Sequence, residues 1–493
     1  MLKSILLRYC CIGPLSAAIV LLSACNSNDN NNPVPQAGVA GPISGTPTII
    51  STFFSLEALG YEQVEYFITG TARSYSNVNE LAADGLWQVE AVDEAPYQTR
   101  IVVNRPIDPA DFNGSVVVEW LNVSAGFESA PDWGMLHTEL IRQGYAWVGV
   151  SAQLVGINSL LNGTADVLLG LDNKERYKDL VHPGDSFSYD IFSQIGQAIK
   201  TPKGESPLGD LQARFLIAAG ESQSAARMMT YVNALAKIHN IYDGYFIHSR
   251  YSGSAALSQS PQAEIPAPSI VRVREDLETP VMMLQTETDV FLLGAYPDRQ
   301  PDTDKFRLWE IAGTAHADLY TFLDNRFDTG VNPAITAIVQ NASPIPGTID
   351  CDKPVNAGPQ HLVAKAAIAA LNSWIVDGTE PPIADRLAVA GEPAAFVLDS
   401  LGNVEGGIRT SYVDAPVAIL SGEGQSGGGF CFLSGTTELL DLGTLGALYG
   451  FDNATYINAV YTATDEAVAK GFLLEPDADL IKAHVSATDL FAD

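Results

Sequence analysis

From residue 63 to residue 376 the chain switches repeatedly between a two-residue and a helical spacing of its apolar positions. Residues 63–69 and 99–103 alternate and are rich in β-branched and aromatic side chains, which predicts strands. Residues 115–121 run almost unbroken apolar, as a strand covered on both faces does. A helix is predicted over 132–143, with Asp132 as its cap and Gly144 as its stop. The alternation continues with a strand at 145–150, a helix at 189–200, a strand at 214–219 and a helix at 224–237. Strands follow at 244–248, 280–285 and 306–311. Within 360–376, Leu362, Ala366, Ala369, Leu371, Trp374 and Ile375 share one side of a closing helix. Strands alternating with helices predict an α/β fold, a mostly parallel central sheet with helices on both faces.

Two stretches depart from this rhythm. Residues 156–188 are too long for a plain connection and read as a small cap-like insertion over the strand ends. After residues 378–382 the composition changes. Residues 394–420 read as short strands with Gly-rich turns, and 451–473 as helical. The expected organisation is therefore a core over 46–385 and a C-terminal extension, 386–493, wrapped on it.

The N-terminal end carries a targeting pattern. Lys3 and Arg8 precede an apolar run over 12–22, then Leu22, Ser23, Ala24 and Cys25. Small residues before a cysteine resemble the lipobox of bacterial lipoproteins. The resemblance implies a signal peptide over 1–24 and a lipid on Cys25; the other reading is a plain secretory signal with a bystander cysteine. The following stretch is polar, Asn-rich and Pro-containing, so 25–45 is expected to be a disordered tether. Asn26 after the cysteine favours the outer membrane of a Gram-negative cell. Cys10 and Cys11 leave with the signal. Cys351 and Cys431 then remain in the body, as one disulfide of an exported protein or as two buried thiols. With 58 acidic against 27 basic residues the net charge is −31, which argues against nucleic acid or anionic lipid as a partner. Membrane contact is expected through the lipid anchor only, and no cysteine cluster resembles a metal site.

The chemistry centres on Gly220, Glu221, Ser222, Gln223 and Ser224, between the 214–219 strand and its helix. A serine on a tight strand-to-helix turn is lifted clear of the sheet edge. The helix start behind it offers free N–H groups and a positive dipole end to an oxyanion. Ser224 and Ala225 are small enough for the two backbones to pass closely. A serine hydroxyl needs a base, and the base an orienter. Asp289 comes directly after the 280–285 strand, and His316 lies in a small-residue loop after the 306–311 strand. Order and strand-end placement fit Ser222, Asp289 and His316 as nucleophile, acid and base. Glu287, two residues before Asp289, is the alternative acid. The N–H of Gln223 and that of Asn122 or Val123 are the expected oxyanion donors. Glu221 is a candidate for binding a substrate hydroxyl, set against an ordinary structural hydrogen bond or ion pair. His182 in the insertion and His248 at a strand end are candidate pocket residues, as is Tyr189. His239, His361 and His484 read as surface residues, and His137 as a core or surface one.

These residues resemble the α/β-hydrolase superfamily. Residues 182–194, 220–224, 285–289, 312–318 and 355–359 are similar to exported bacterial proteins described as alpha/beta hydrolase domain proteins; 403–409 and 430–435 are similar as well. The likeness covers nearly the whole mature chain, so it implies that the extension belongs to the same unit. It implies a serine hydrolase fold needing no cofactor or metal. Ser224 in place of the second elbow glycine is a departure from the superfamily pattern. The expected function is a lipid-anchored hydrolase of small-molecule or polymer carboxylic esters. Amide cleavage or acyl transfer on the same triad, and a binding lipoprotein of the same fold without turnover, stay open.

Overall fold

A computed structural model describes residues 34–492. The expected signal peptide and Cys25 lie outside them. Ten strands form the central sheet: β1 (Gly38–Ala40), β2 (Tyr61–Asn77), β3 (Val89–Pro106), β4 (Ser115–Trp120), β5 (Ala146–Val150), β6 (Lys203–Gly204), β7 (Phe215–Glu221), β8 (Gly244–His248), β9 (Val281–Thr286) and β10 (Phe306–Ile311). Their order is β10-β9-β8-β7-β4-β5-β3-β2-β1-β6. From β10 across to β5 every pair is parallel, whereas β3 runs antiparallel to β5 and to β2.

The apolar run of β4 explains its place. Val116 and Val118 belong to one core with the helices Ser188–Lys200 and Gln223–Ala234. Val117 faces the other core, with Pro131–Arg142 and Gln360–Asp377. Only a central strand between two helical layers can bury consecutive residues in this way. The chain leaves β4 toward β5 on one side and returns to β7 on the other. The crevice beyond the carboxyl ends of β4 and β7 is thus the topological switch point, where open α/β sheets hold their sites.

Three differences from the sequence reading have local causes. Residues 38–40, assigned to the tether, pair antiparallel with β2 and parallel with β6; a three-residue strand is too short to display a period. β2 outruns the expected 63–69 because Arg73, polar in sequence, is buried against Asp190 at 2.9 Å. The helix cap at 131 is Glu119 of β4, whose carboxylate accepts from Asp132 N and Trp133 N at 3.0 and 2.8 Å, leaving the Asp132 side chain free for other work.

The 156–188 insertion is helical at Leu154–Asn162, Thr164–Leu169 and Lys174–Tyr177. Ile157, Leu160, Tyr177 and Leu180 cluster with Phe67 of β2. The Tyr177 hydroxyl donates to Glu65, also of β2, at 3.0 Å. The insertion is therefore seated on the antiparallel part of the sheet.

The extension adds two small ribbons, Val389–Ala390 with Ala395–Phe396 and Ala418–Ser421 with Thr436–Leu439. The helices Leu442–Tyr449, Asn453–Ala469 and Glu475–Ser486 follow. Ile408 lies along β10, donating to Glu310 O and accepting from Ala312 N. Cys351 and Cys431 are joined by a disulfide. Among the described residues no helix is long and apolar enough to cross a membrane.

Candidate active site

Ser222 follows β7 and immediately precedes the helix Gln223–Ala234, with φ 57° and ψ −115°. A non-glycine residue at positive φ is strained, and this strain projects the hydroxyl off the sheet edge. Gly220 makes the turn possible: a Cβ there would lie 2.8 Å from the Ser224 carbonyl oxygen. The helix start leaves the first N–H groups, Gln223 included, without helical acceptors.

His316 Nε2 lies 2.9 Å from Ser222 Oγ, and His316 Nδ1 lies 2.7 Å from Asp289 Oδ1. Asp289 is fixed through its other oxygen, which accepts from Thr286 N at 2.7 Å in a capping box at the end of β9. That box, Thr286 followed three residues later by Asp289, is a signal present in the sequence itself. The His316 backbone N–H donates to Thr288 Oγ1 at 3.2 Å, so one short turn holds both Asp289 and the His316 loop. Burial disfavours charge on the imidazole, but the Asp289 and Glu221 carboxylates outweigh it and raise the His316 pKa. The Nδ1–H bond to Asp289 leaves the Nε2 lone pair facing the serine hydroxyl, the arrangement a general base needs.

The other candidates fall elsewhere. Glu287 does not face His316. Its oxygens accept from Gly313 N at 2.6 Å and Gly422 N at 2.7 Å, and burial pushes its carboxyl up to about 8. Asn122 is not an oxyanion donor, because its N–H is committed to Ser129 O at 3.0 Å. The Val123 N–H has no hydrogen-bond acceptor among the described residues, which leaves Val123 with Gln223 as the available pair. His182 is held by backbone on both nitrogens, at 2.9 Å from Ala152 O and 3.2 Å from Gly184 N. Tyr189 is a core residue packed on Trp120, its hydroxyl donating to Ala256 O at 2.7 Å. His248 is fully buried between Asp132 Oδ1 (2.9 Å) and Gln360 Nε2 (3.2 Å), and its carbonyl accepts the Ser222 N–H. It supports the elbow from beneath.

The Glu221 carboxyl is nearly buried and lies between Asn122 and His316. Oε2 accepts from Asn122 Nδ2 at 3.2 Å, and Oε1 lies 3.4 Å from His316 Nε2. His239 and His361, expected on the surface, are buried. The first bonds Tyr75 and Ser193, and the second stacks on Tyr320 at 3.7 Å. His137 is a core residue bonded to Asp328 O at 2.7 Å. Among the described residues no three His, Cys, Asp or Glu side chains converge as a metal site.

A family model described as alpha/beta hydrolase domain matches residues 31–483. No curated protein matches the sequence. Among solved structures, an α/β serine hydrolase without lid from Xanthomonas campestris is 12% identical with a TM-score of 0.28, over 49% of this chain and 86% of that one. A glucuronoyl esterase from Teredinibacter turnerae is 11% identical with a TM-score of 0.27, over 56% and 74%. Another, from Solibacter usitatus, is 9% identical with a TM-score of 0.26, over 51% and 76%.

Proposed function

The chain belongs to the alpha/beta hydrolase domain family, and from that premise we propose that it is a serine hydrolase acting on carboxylic esters. The reading rests on one observation, the unbroken hydrogen-bond chain from Ser222 Oγ through His316 to Asp289 at 2.9 and 2.7 Å. In this reading Ser222 Oγ attacks the acyl carbon while His316 Nε2 takes its proton. Asp289 holds the Nδ1–H and stabilises the imidazolium. The N–H groups of Gln223 and Val123 receive the oxyanion. His316 then protonates the leaving alcohol, and water resolves the acyl-enzyme by the same route in reverse.

The test needs no known substrate. A fluorophosphonate probe is expected to label the body lacking residues 1–25 and to leave Ser222→Ala unlabelled. Well-folded wild type that resists the probe would overturn the reading and favour a binding protein of the same fold. An ester panel beside the corresponding anilides then separates ester from amide preference. The N-terminal pattern extends the proposal to an exported body anchored through lipid on Cys25. Labelled palmitate is expected in wild type and absent from Cys25→Ser.

A further inference from the structure

Behind the Ser222–His316–Asp289 chain lies a carboxyl that those steps do not use. Glu221 directly precedes the nucleophile, and its side chain is 11% exposed. Its two oxygens face two different parts of the site. Oε1 lies 3.4 Å from His316 Nε2, the same nitrogen that faces Ser222. Oε2 accepts from Asn122 Nδ2, which also bonds the Glu221 carbonyl at 3.1 Å. Asn122 in turn organises the loop after β4: its Oδ1 accepts from Ser124 N at 2.8 Å, and its backbone pairs with Ser129. That loop carries the Val123 N–H.

We propose that the Glu221 carboxylate is a second counter-ion of His316, placed on the Nε2 side opposite Asp289, and that through Asn122 it holds the Val123 loop in register with the general base. The inference rests on the proposed function of Ser222 and His316. Glu221 acts through these two partners and is a positioning residue. When Nε2 takes the serine proton, the imidazolium lies between two carboxylates. One fixes the ring through Nδ1–H, and the other stabilises the charge beside the proton that must move on to the leaving group. Because the same carboxyl anchors Asn122, base and oxyanion donor share one support.

The groups facing Glu221 are His316 after β10, His248 at the end of β8, Asp132 on the helix Pro131–Arg142, and Asp289 after β9. Burial pushes the Glu221 carboxyl up to about 7, with the His316 and His248 charges pulling it back. At 3.4 Å from His316 Nε2 it is close enough for the protonation of one group to depend on that of the other.

An anion beside Nε2 favours the imidazolium, so removing it lowers the His316 pKa and keeps the base free to lower pH. Glu221→Gln keeps an acceptor for Asn122 and removes the charge. The rate of fluorophosphonate labelling against pH is expected to move its acidic limb down by about one unit. The plateau should fall about tenfold, the rate equivalent of that shift. Glu221→Asp keeps the charge and is expected to hold the limb near wild type. Equal limbs in wild type, Asp and Gln variants overturn the proposal. Should the Gln variant not fold, 15N-histidine spectra of wild type decide: His316 must titrate in two coupled steps, and a single step overturns it. Absence of wild-type labelling strikes the function reading instead, and so the two failures are distinct.

Discussion

At the scale of single residues, the two acids after β9 present the same chemistry in sequence and opposite surroundings in space. Asp289 gives one oxygen to His316 and one to Thr286 N, whereas Glu287 is clasped by two backbone N–H groups from different segments. Asp289→Asn is therefore expected to lower the labelling rate by about 10^4-fold, the scale seen when a triad acid loses its charge and the wrong imidazole tautomer forms. Glu287→Gln sets an NH2 against a buried N–H donor, so it should cost about 1–3 kcal/mol of stability. Well below the melting midpoint it should leave the labelling rate within a few-fold of wild type. Thermal melts beside probe kinetics separate these outcomes, and a Glu287→Gln protein that melts normally but cannot be labelled would reverse the assignment. The sequence carried the strand ends on which these side chains sit. It did not carry which oxygen meets which donor, because Gly422 lies more than a hundred residues along the chain. The same reason hides the burial of His248 and Tyr189. Their neighbours in sequence are polar or mixed, and Asp132, Gln360 and Ala256 reach them only through the fold.

At the scale of elements, β7, the elbow and the helix behind it were the most legible part of the chain. An apolar run, a cluster of small residues and a helical period follow one another there without a gap. What the pattern could not rank was the second elbow position. Ser224 is fully buried, and its hydroxyl has no hydrogen-bond partner among the described residues. A hydroxyl buried without a partner costs free energy that a methyl group would not. Ser224→Ala is expected to raise stability by about 1 kcal/mol, read as a higher denaturant midpoint at unchanged slope, with labelling intact. Gly220→Ala should do the opposite. Its Cβ would meet the Ser224 carbonyl oxygen at 2.8 Å, and the atom to be displaced is backbone. A Gly220→Ala variant as stable as wild type would mean that the elbow can open. β1 and the long reaches of β2 and β3 were illegible for the converse reason. β1 is only three residues long, and the outer part of β2 is held by Asp190, far along the chain, not by a local period.

At the scale of the whole molecule, the extension is built into the site it was expected only to wrap. Gly422 N holds Glu287, Leu433 O accepts Ala317 N, and Gly422 O accepts Thr288 Oγ1 at 2.7 Å. Each bond bears on the turn that carries Asp289 or the loop that carries His316. The disulfide fastens this arrangement, because Cys431 precedes Leu433 by two residues and Cys351 lies just before Asn356, whose side chain donates to Gly313 O and Ser421 O. Closing a chain separation of 80 residues is worth roughly 4.5 kcal/mol in the chain-entropy account. Much of that weight falls on a molecule whose net charge of −31 already favours expansion. The paired Cys351→Ser and Cys431→Ser variant is expected to melt at a distinctly lower temperature, and more so at low ionic strength, where acidic self-repulsion is least screened. Labelling should be lost at the same temperature as the secondary structure, because the extension cannot release without freeing Glu287 and the His316 loop. Activity lost well below that midpoint would show that the extension detaches by itself; an unchanged midpoint would show that packing around Leu362, Leu420 and Val460 holds it without the covalent tie.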